Sequence, residues 1–174
     1  MKKVSNVTMG IDKVSNSPIV FLKVEDTNVV VPIWIGPCEA GVLALILRNE
    51  DFERPLTHDL IGNIIEQLKA QPIKIEIDQF KQDIYYAKLV LKDSGSKEIY
   101  IDARPSDCII LSLKNNLPIY IDEEIVSEHG IEASFINAEE QSDFRQDIEN
   151  FDIDELRRKF ENKNKTEDED EDDE

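Results

Sequence analysis

The chain predicts an α+β domain built on a mainly antiparallel, meandering sheet with helices packed against it. Three observations carry this reading. Short runs alternate apolar with polar residues, the signature of half-buried strands. Turn residues separate these runs by only a few positions, as hairpins require. Each set of three runs is then followed by a segment with helical apolar spacing. At 174 residues and 40% hydrophobic content, the chain supports one core. We expect a folded domain over 1–138, a C-terminal helical segment over 139–162 and a disordered acidic tail over 163–174.

Val4 to Val14 reads as a first strand, with Val7, Met9 and Ile11 alternating. Ser15-Asn16-Ser17-Pro18 turns the chain into Ile19 to Val24, and Asp26-Thr27-Asn28 turns it into Val29 to Ile35. Trp34, the sole tryptophan, reads as core. Pro37 suits the first turn of a helix to about Arg48, apolar on nearly every side. Thr57 is a plausible N-cap for a helix to about Ala70, with Leu60, Ile61, Ile64, Ile65 and Leu68 forming one apolar stripe. His58 falls at the edge of that stripe, where solvent reaches it.

Pro72 to Phe80 and Tyr85 to Leu91 alternate cleanly, and Asp93-Ser94-Gly95-Ser96 leads into a half-buried strand over Ile99 to Ala103. Pro105 stops that strand and opens a helix carrying Ile109, Ile110, Leu111 and Leu113 to the core. Pro118 to Ile121 is a short strand. Arg54-Pro55 before one helix echoes Arg104-Pro105 before another, and Pro32-Ile33-Trp34-Ile35 echoes Pro118-Ile119-Tyr120-Ile121, hinting at two related βα halves. Phe151, Ile153, Leu156 and Phe160 lie near helical spacing, whereas the residues past Asn162 offer nothing apolar to bury.

The formal net charge is −18, and the last eight residues are all acidic, so the rest of the chain carries a net charge of −10. A net acidic protein meets nucleic acid with long-range repulsion, so any such chemistry needs a local basic site or a divalent ion. Cys38 and Cys108 are distant and sit in apolar helical patterns, as buried reduced thiols do. The two N-terminal lysines precede no apolar leader, and no run reaches the ~18 residues of a membrane span. The expectation is a cytoplasmic protein with no membrane partner.

No phosphate-cradling glycine loop, CxxC pair, HExxH or nucleophile elbow is present. Two histidines, His58 and His129, exclude a multi-histidine metal site within one chain. What gathers instead is carboxylates beside two Arg-Pro steps, with Asp102, Arg104, Ser106 and Asp107 crowding one strand-to-helix corner. Carboxylate oxygens suit Mg²⁺ or Mn²⁺, and arginine pairs bidentately with phosphate. The same residues serve equally as salt bridges tying helix starts to strand ends. Glu39 is either a dipole partner of its helix or a site residue.

PIWIGPCEA at Pro32 to Ala40, RPLTHDL at Arg54 to Leu60 and IDARPSDCIILSL at Ile101 to Leu113 resemble, in order and spacing, three blocks of the bifunctional nuclease family, described as cleaving both DNA and RNA. The resemblance covers roughly residues 1–129, with Cys108 where the family commonly has alanine. It implies an α+β fold, a homo-oligomer and nuclease activity on a nucleic-acid substrate. Carried over by position, it marks Glu39, then Arg54, Thr57, His58 and Asp59, then Asp102, Arg104, Ser106 and Asp107.

On this expectation His58, Asp59, Asp107 and Ser106 are catalytic, with His58 a general acid or base. Arg54, Thr57 and Arg104 bind substrate, while Asp102, Asp107 and Glu39 hold Mg²⁺ or Mn²⁺. Two alternatives stay open: a non-enzymatic regulatory or ligand-binding module, and a hydrolase of a small phosphorylated metabolite.

Overall fold

The computed structural model describes residues 1–12, 15–50 and 53–135. The expected C-terminal helical segment and acidic tail lie outside the described residues, as does Val14. β1 (Lys2–Asp12), β2 (Ser17–Val24) and β3 (Val29–Trp34) form an antiparallel meander in which Val7 pairs with Leu22 and Val20 with Ile33. Helices α1 (Pro37–Leu47) and α2 (Thr57–Gln67) follow. A second meander comprises β4 (Gln71–Lys81), β5 (Ile84–Lys92) and β6 (Glu98–Ala103), then α3 (Pro105–Asn115). The β4–β5 hairpin turns on Gln82 and Asp83, both at positive φ, as a two-residue primed turn needs.

β7 (Ile119–Ile121) joins the two meanders, running parallel to β4 and antiparallel to β1. After α4 (Glu123–His129), β8 (Ile131–Glu132) caps the far edge beside β3. The eight-stranded order is β6-β5-β4-β7-β1-β2-β3-β8. The expected α+β class and largely antiparallel sheet are therefore present. Its two halves repeat a meander followed by a proline-led helix, but the counterpart of Arg104-Pro105 is Gly36-Pro37 before α1, not Arg54-Pro55 before α2.

The core lies between the sheet and the helices. Val20, Leu22, Val31, Ile75, Ile77, Ala87 and Ile121 are fully enclosed, as are Leu43 of α1 and Ile109 of α3. Five consecutive residues of α3, Cys108 to Ser112, are buried, because the helix has the sheet on one side and α1 and α2 on others. Asn116 ends α3 in the left-handed conformation that asparagine tolerates. Among the described residues no helix is long and apolar enough to cross a membrane.

Packing corrects five expectations. β6 is not half-buried: it is the sheet's edge, with Ile99, Tyr100 and Ile101 exposed. The α2 stripe is only partly used, since α2 touches α3 and the start of β4; Ile65 is buried, whereas Leu60, Ile64 and Leu68 face outward. Trp34 is 55% exposed, because Val31 and Ile33 take the inward positions of β3. Cys38, on the first turn of α1, is exposed, whereas Cys108 is buried as expected. His58 is only 7% exposed, since the first turn of α2 is tucked against the start of α3.

Candidate functional site

The two proline-led helix starts meet between the meanders. Pro105 opens α3 with Arg104 extended at its N-cap, so Asp107 stands in the first turn beside the arginine. Arg104 donates Nε to Asp107 Oδ2 at 2.9 Å and Nη2 to Oδ1 at 3.3 Å, a two-pronged contact. The same Nη2 lies 2.6 Å from Glu39 Oε1, which comes from the first turn of α1. On the other side of Asp107, Oδ1 is 3.0 Å from His58 Nε2. An ionised carboxylate only accepts, so Nε2 carries the proton of this bond. Glu39, Arg104, Asp107 and His58 thus form one continuous chain drawn from three distant blocks.

Gly36 makes room for it. A Cβ at that position would overlap Glu39 Oε2, which folds back over the start of α1. Partial burial pushes the Asp107 carboxyl upward, but hydrogen bonds and charge from Arg104 and His58 outweigh it and hold the group below its ordinary value. Its two carboxylate partners in turn push the Arg104 guanidinium above its usual value. Arg104 reaches water, with a side chain 66% exposed, so its outward N–H groups are available to an anion. His58 Nδ1 is buried without a hydrogen-bond partner among the described residues. Burial, then the charges of Asp107 and Asp102, push the Cys108 thiol up to about 12, which leaves it an inert core residue.

The remaining expected site residues stand outside this chain of contacts. Asp59 accepts from the Leu56 amide at 2.8 Å and from Lys114 Nζ at 2.5 Å, tying the start of α2 to the end of α3. Burial raises its carboxyl, and Lys114 with the Leu56 amide more than reverses this. Sequence reading missed Lys114, although it lies seven residues beyond Asp107 and so on the same face of α3. Ser106 is buried at the start of α3, while Thr57 and Arg54 are exposed. Arg54 makes no ion pair among the described residues.

Asp102 is exposed on β6 across from Lys88, outside the chain of contacts. The set expected to hold Mg²⁺ or Mn²⁺ is therefore not gathered. Both oxygens of Asp107 and one of Glu39 are spent on cations, and among the described residues no three of His, Cys, Asp and Glu converge as ligands. These side chains as they stand do not fit a resident divalent ion.

The α+β fold thus brings the starts of three helices together on one carboxylate–arginine–histidine chain. The family model of the bifunctional nuclease domain matches residues 20–134, and the chain belongs to that family. An uncharacterized protein of Mycobacterium tuberculosis is 31% identical over 131 residues, 75% of this chain and 77% of that protein. Bifunctional nuclease 1 of Oryza sativa subsp. japonica is 27% identical over 115 residues, 64% of this chain and 35% of the relative. Bifunctional nuclease 1 of Arabidopsis thaliana is 23% identical over 117 residues, 66% of this chain and 36% of the relative. The chain thus spans about a third of each plant protein.

Proposed function

We propose that the protein hydrolyses phosphodiester bonds in DNA and RNA at the corner formed by Arg104 and Asp107. The observation that carries this reading is the chain from Glu39 through Arg104 and Asp107 to His58, with only the arginine open to solvent. Arg104, oriented by two carboxylates, binds the phosphate and stabilises charge developing on its oxygens. Asp107 Oδ2, which among the described residues meets only Arg104 Nε, accepts through its second lone pair the proton of the attacking water as that oxygen bonds to phosphorus, and the ester oxygen leaves and takes a proton from solvent. His58 is the positioning residue that aims and ionises Asp107. Arg54 and Thr57, both exposed, extend the phosphate contact along the substrate.

Family membership and the names of the plant relatives support the nuclease class. The chemistry rests on the side chains alone, and a divalent ion is the part of the earlier expectation that chelation decides. Cleavage of single- and double-stranded DNA and RNA is measured with wild type and with His58→Ala and Asp107→Asn proteins purified identically, in Mg²⁺, Mn²⁺ or EDTA. Activity present in wild type, absent in folded variants and unchanged by EDTA is the expected result. Abolition by EDTA would return an ion to the site. Equal activity in all proteins would sink the assignment.

The −18 charge favours one second reading, hydrolysis of a small phosphorylated molecule, which needs no basic surface. Turnover of bis(p-nitrophenyl) phosphate without cleavage of any polynucleotide would select it. The proposal also carries a cytoplasmic setting and a homo-oligomer, for which the outward row of Leu60, Ile64 and Leu68 is the face a second copy would cover.

A further inference from the structure

The Arg104 corner opens into a cleft whose aromatic part has no role in the chemistry above. The cleft, of about 610 Å³, runs from Arg104 and Ser106 along the end of β3 to the β4–β5 hairpin and the end of α4. That volume lies in the range of small-molecule sites. Its far end is aromatic. Phe80 packs against Tyr85 with ring centroids 4.6 Å apart and against His129 at 4.0 Å. Its flank is Trp34, whose indole is half exposed yet held in place, because Nε1 donates to Asp12 Oδ2 at 3.3 Å. Leaving a large ring in water forfeits its burial, and tethering it there also costs rotamer freedom.

Charge gives the cleft a direction. Arg104 stands at one end, and Asp83, in the hairpin turn, stands at the aromatic end. A phosphate is drawn to the first and repelled from the second, while the rings between offer flat apolar faces. We propose that this cleft stacks an unpaired base of a single-stranded nucleic acid while Arg104 holds the adjoining phosphate. The inference rests on the nuclease reading and narrows its substrate to single strands. A duplex hides its base faces, and this acidic protein has little to offer the duplex backbone.

Trp34 is the sole tryptophan, so its fluorescence reports the cleft directly. The full chain is titrated with a thymidine strand of about twelve phosphorothioate-linked nucleotides, a length typical of single-strand sites. A hairpin duplex and thymidine monophosphate serve as comparisons. Quenching by the strand, with at least about fivefold weaker binding of the duplex, is expected from the loss of base stacking. By anisotropy of a labelled strand, Trp34→Ala and Tyr85→Leu each weaken binding about five- to tenfold. Trp34→Phe restores part of it, and circular dichroism verifies that each variant is folded.

Equal affinity for duplex and strand, or strand binding indifferent to both variants, would overturn the proposal. Equal affinity for the mononucleotide would reassign the cleft to free nucleotides, and a Trp34 signal that changes only on protein dilution would reassign it to a second copy. Binding is scored without turnover. Strand-selective binding with no cleavage of ordinary linkages would therefore sink the nuclease reading alone. Cleavage indifferent to Trp34 and Tyr85 would sink only the stacking site.

Discussion

Asp107 is the residue on which the candidate site turns, because among the described residues it alone is bonded to both His58 and Arg104. Asp107→Asn keeps the shape and removes the charge, and on the proposed mechanism it lowers the cleavage rate about a hundredfold or more. Arg104→Lys keeps a cation but loses the fork; its expected signature is a raised KM with a smaller fall in kcat, measured by steady-state kinetics on a labelled strand. The ion pairs also set a pH limit. The Asp107 and Asp59 carboxyls are held below the ordinary 3.8, so the folded state binds their protons less readily than the unfolded chain. Their contribution is full at neutral pH and disappears as pH falls below that value. Urea midpoints for wild type should drop between pH 5 and 3, and Asp107→Asn should flatten the drop, a test that is independent of activity.

At the level of elements, the helix starts do the assembling. α2 is held to α3 by the Asp59–Lys114 pair, which is partly exposed and so contributes modestly. A double-mutant cycle on Asp59→Ala and Lys114→Ala should give a coupling of roughly 0.5 to 1 kcal/mol in urea unfolding. Gly36→Ala is expected to displace the Glu39 carboxylate from Arg104 with little change in stability, visible as altered substrate affinity without a shift in midpoint. The strands and helices were legible because periods of two and 3.6 are local properties, and Pro37 and Pro105 mark their helices from within. Tertiary placement was not local. Whether the Leu60–Leu68 stripe or the Ile99–Ile101 strand is covered depends on neighbours far away in sequence. The same is true of His58, whose burial follows from a partner 49 positions later. The candidate block around Arg104 was legible as a corner; its link to Glu39 required knowing that α1, rather than α2, is the counterpart of α3.

The molecule as a whole carries a strong negative field, and eight of its charges sit in the last eight residues. Deleting 167–174 takes the formal charge from −18 to −10 and should tighten strand binding at low salt. The gain should fade as the Debye length shrinks to about 8 Å near physiological ionic strength. Anisotropy titrations at two salt concentrations measure this, and an unchanged affinity at low salt would show that the field is screened at the binding corner. The exposed row on α2 has a mass-based test. Ile64→Lys should lower the mass of any assembly seen by light scattering while leaving the monomer folded.

The three-residue strand β7 has a consequence for the order in which the chain can be made. Lys2 pairs with Ile121, and the two meanders touch through the sheet only where β7 lies between β4 and β1. During synthesis the first meander leaves the ribosome with the β7-facing edge of β1 unpaired, and it stays so until nearly the whole domain has been translated. A bare strand edge is a template on which another strand can pair. Lys2 and Lys3, the residues at its pairing end, are the charged side chains that discourage other strands from docking there first.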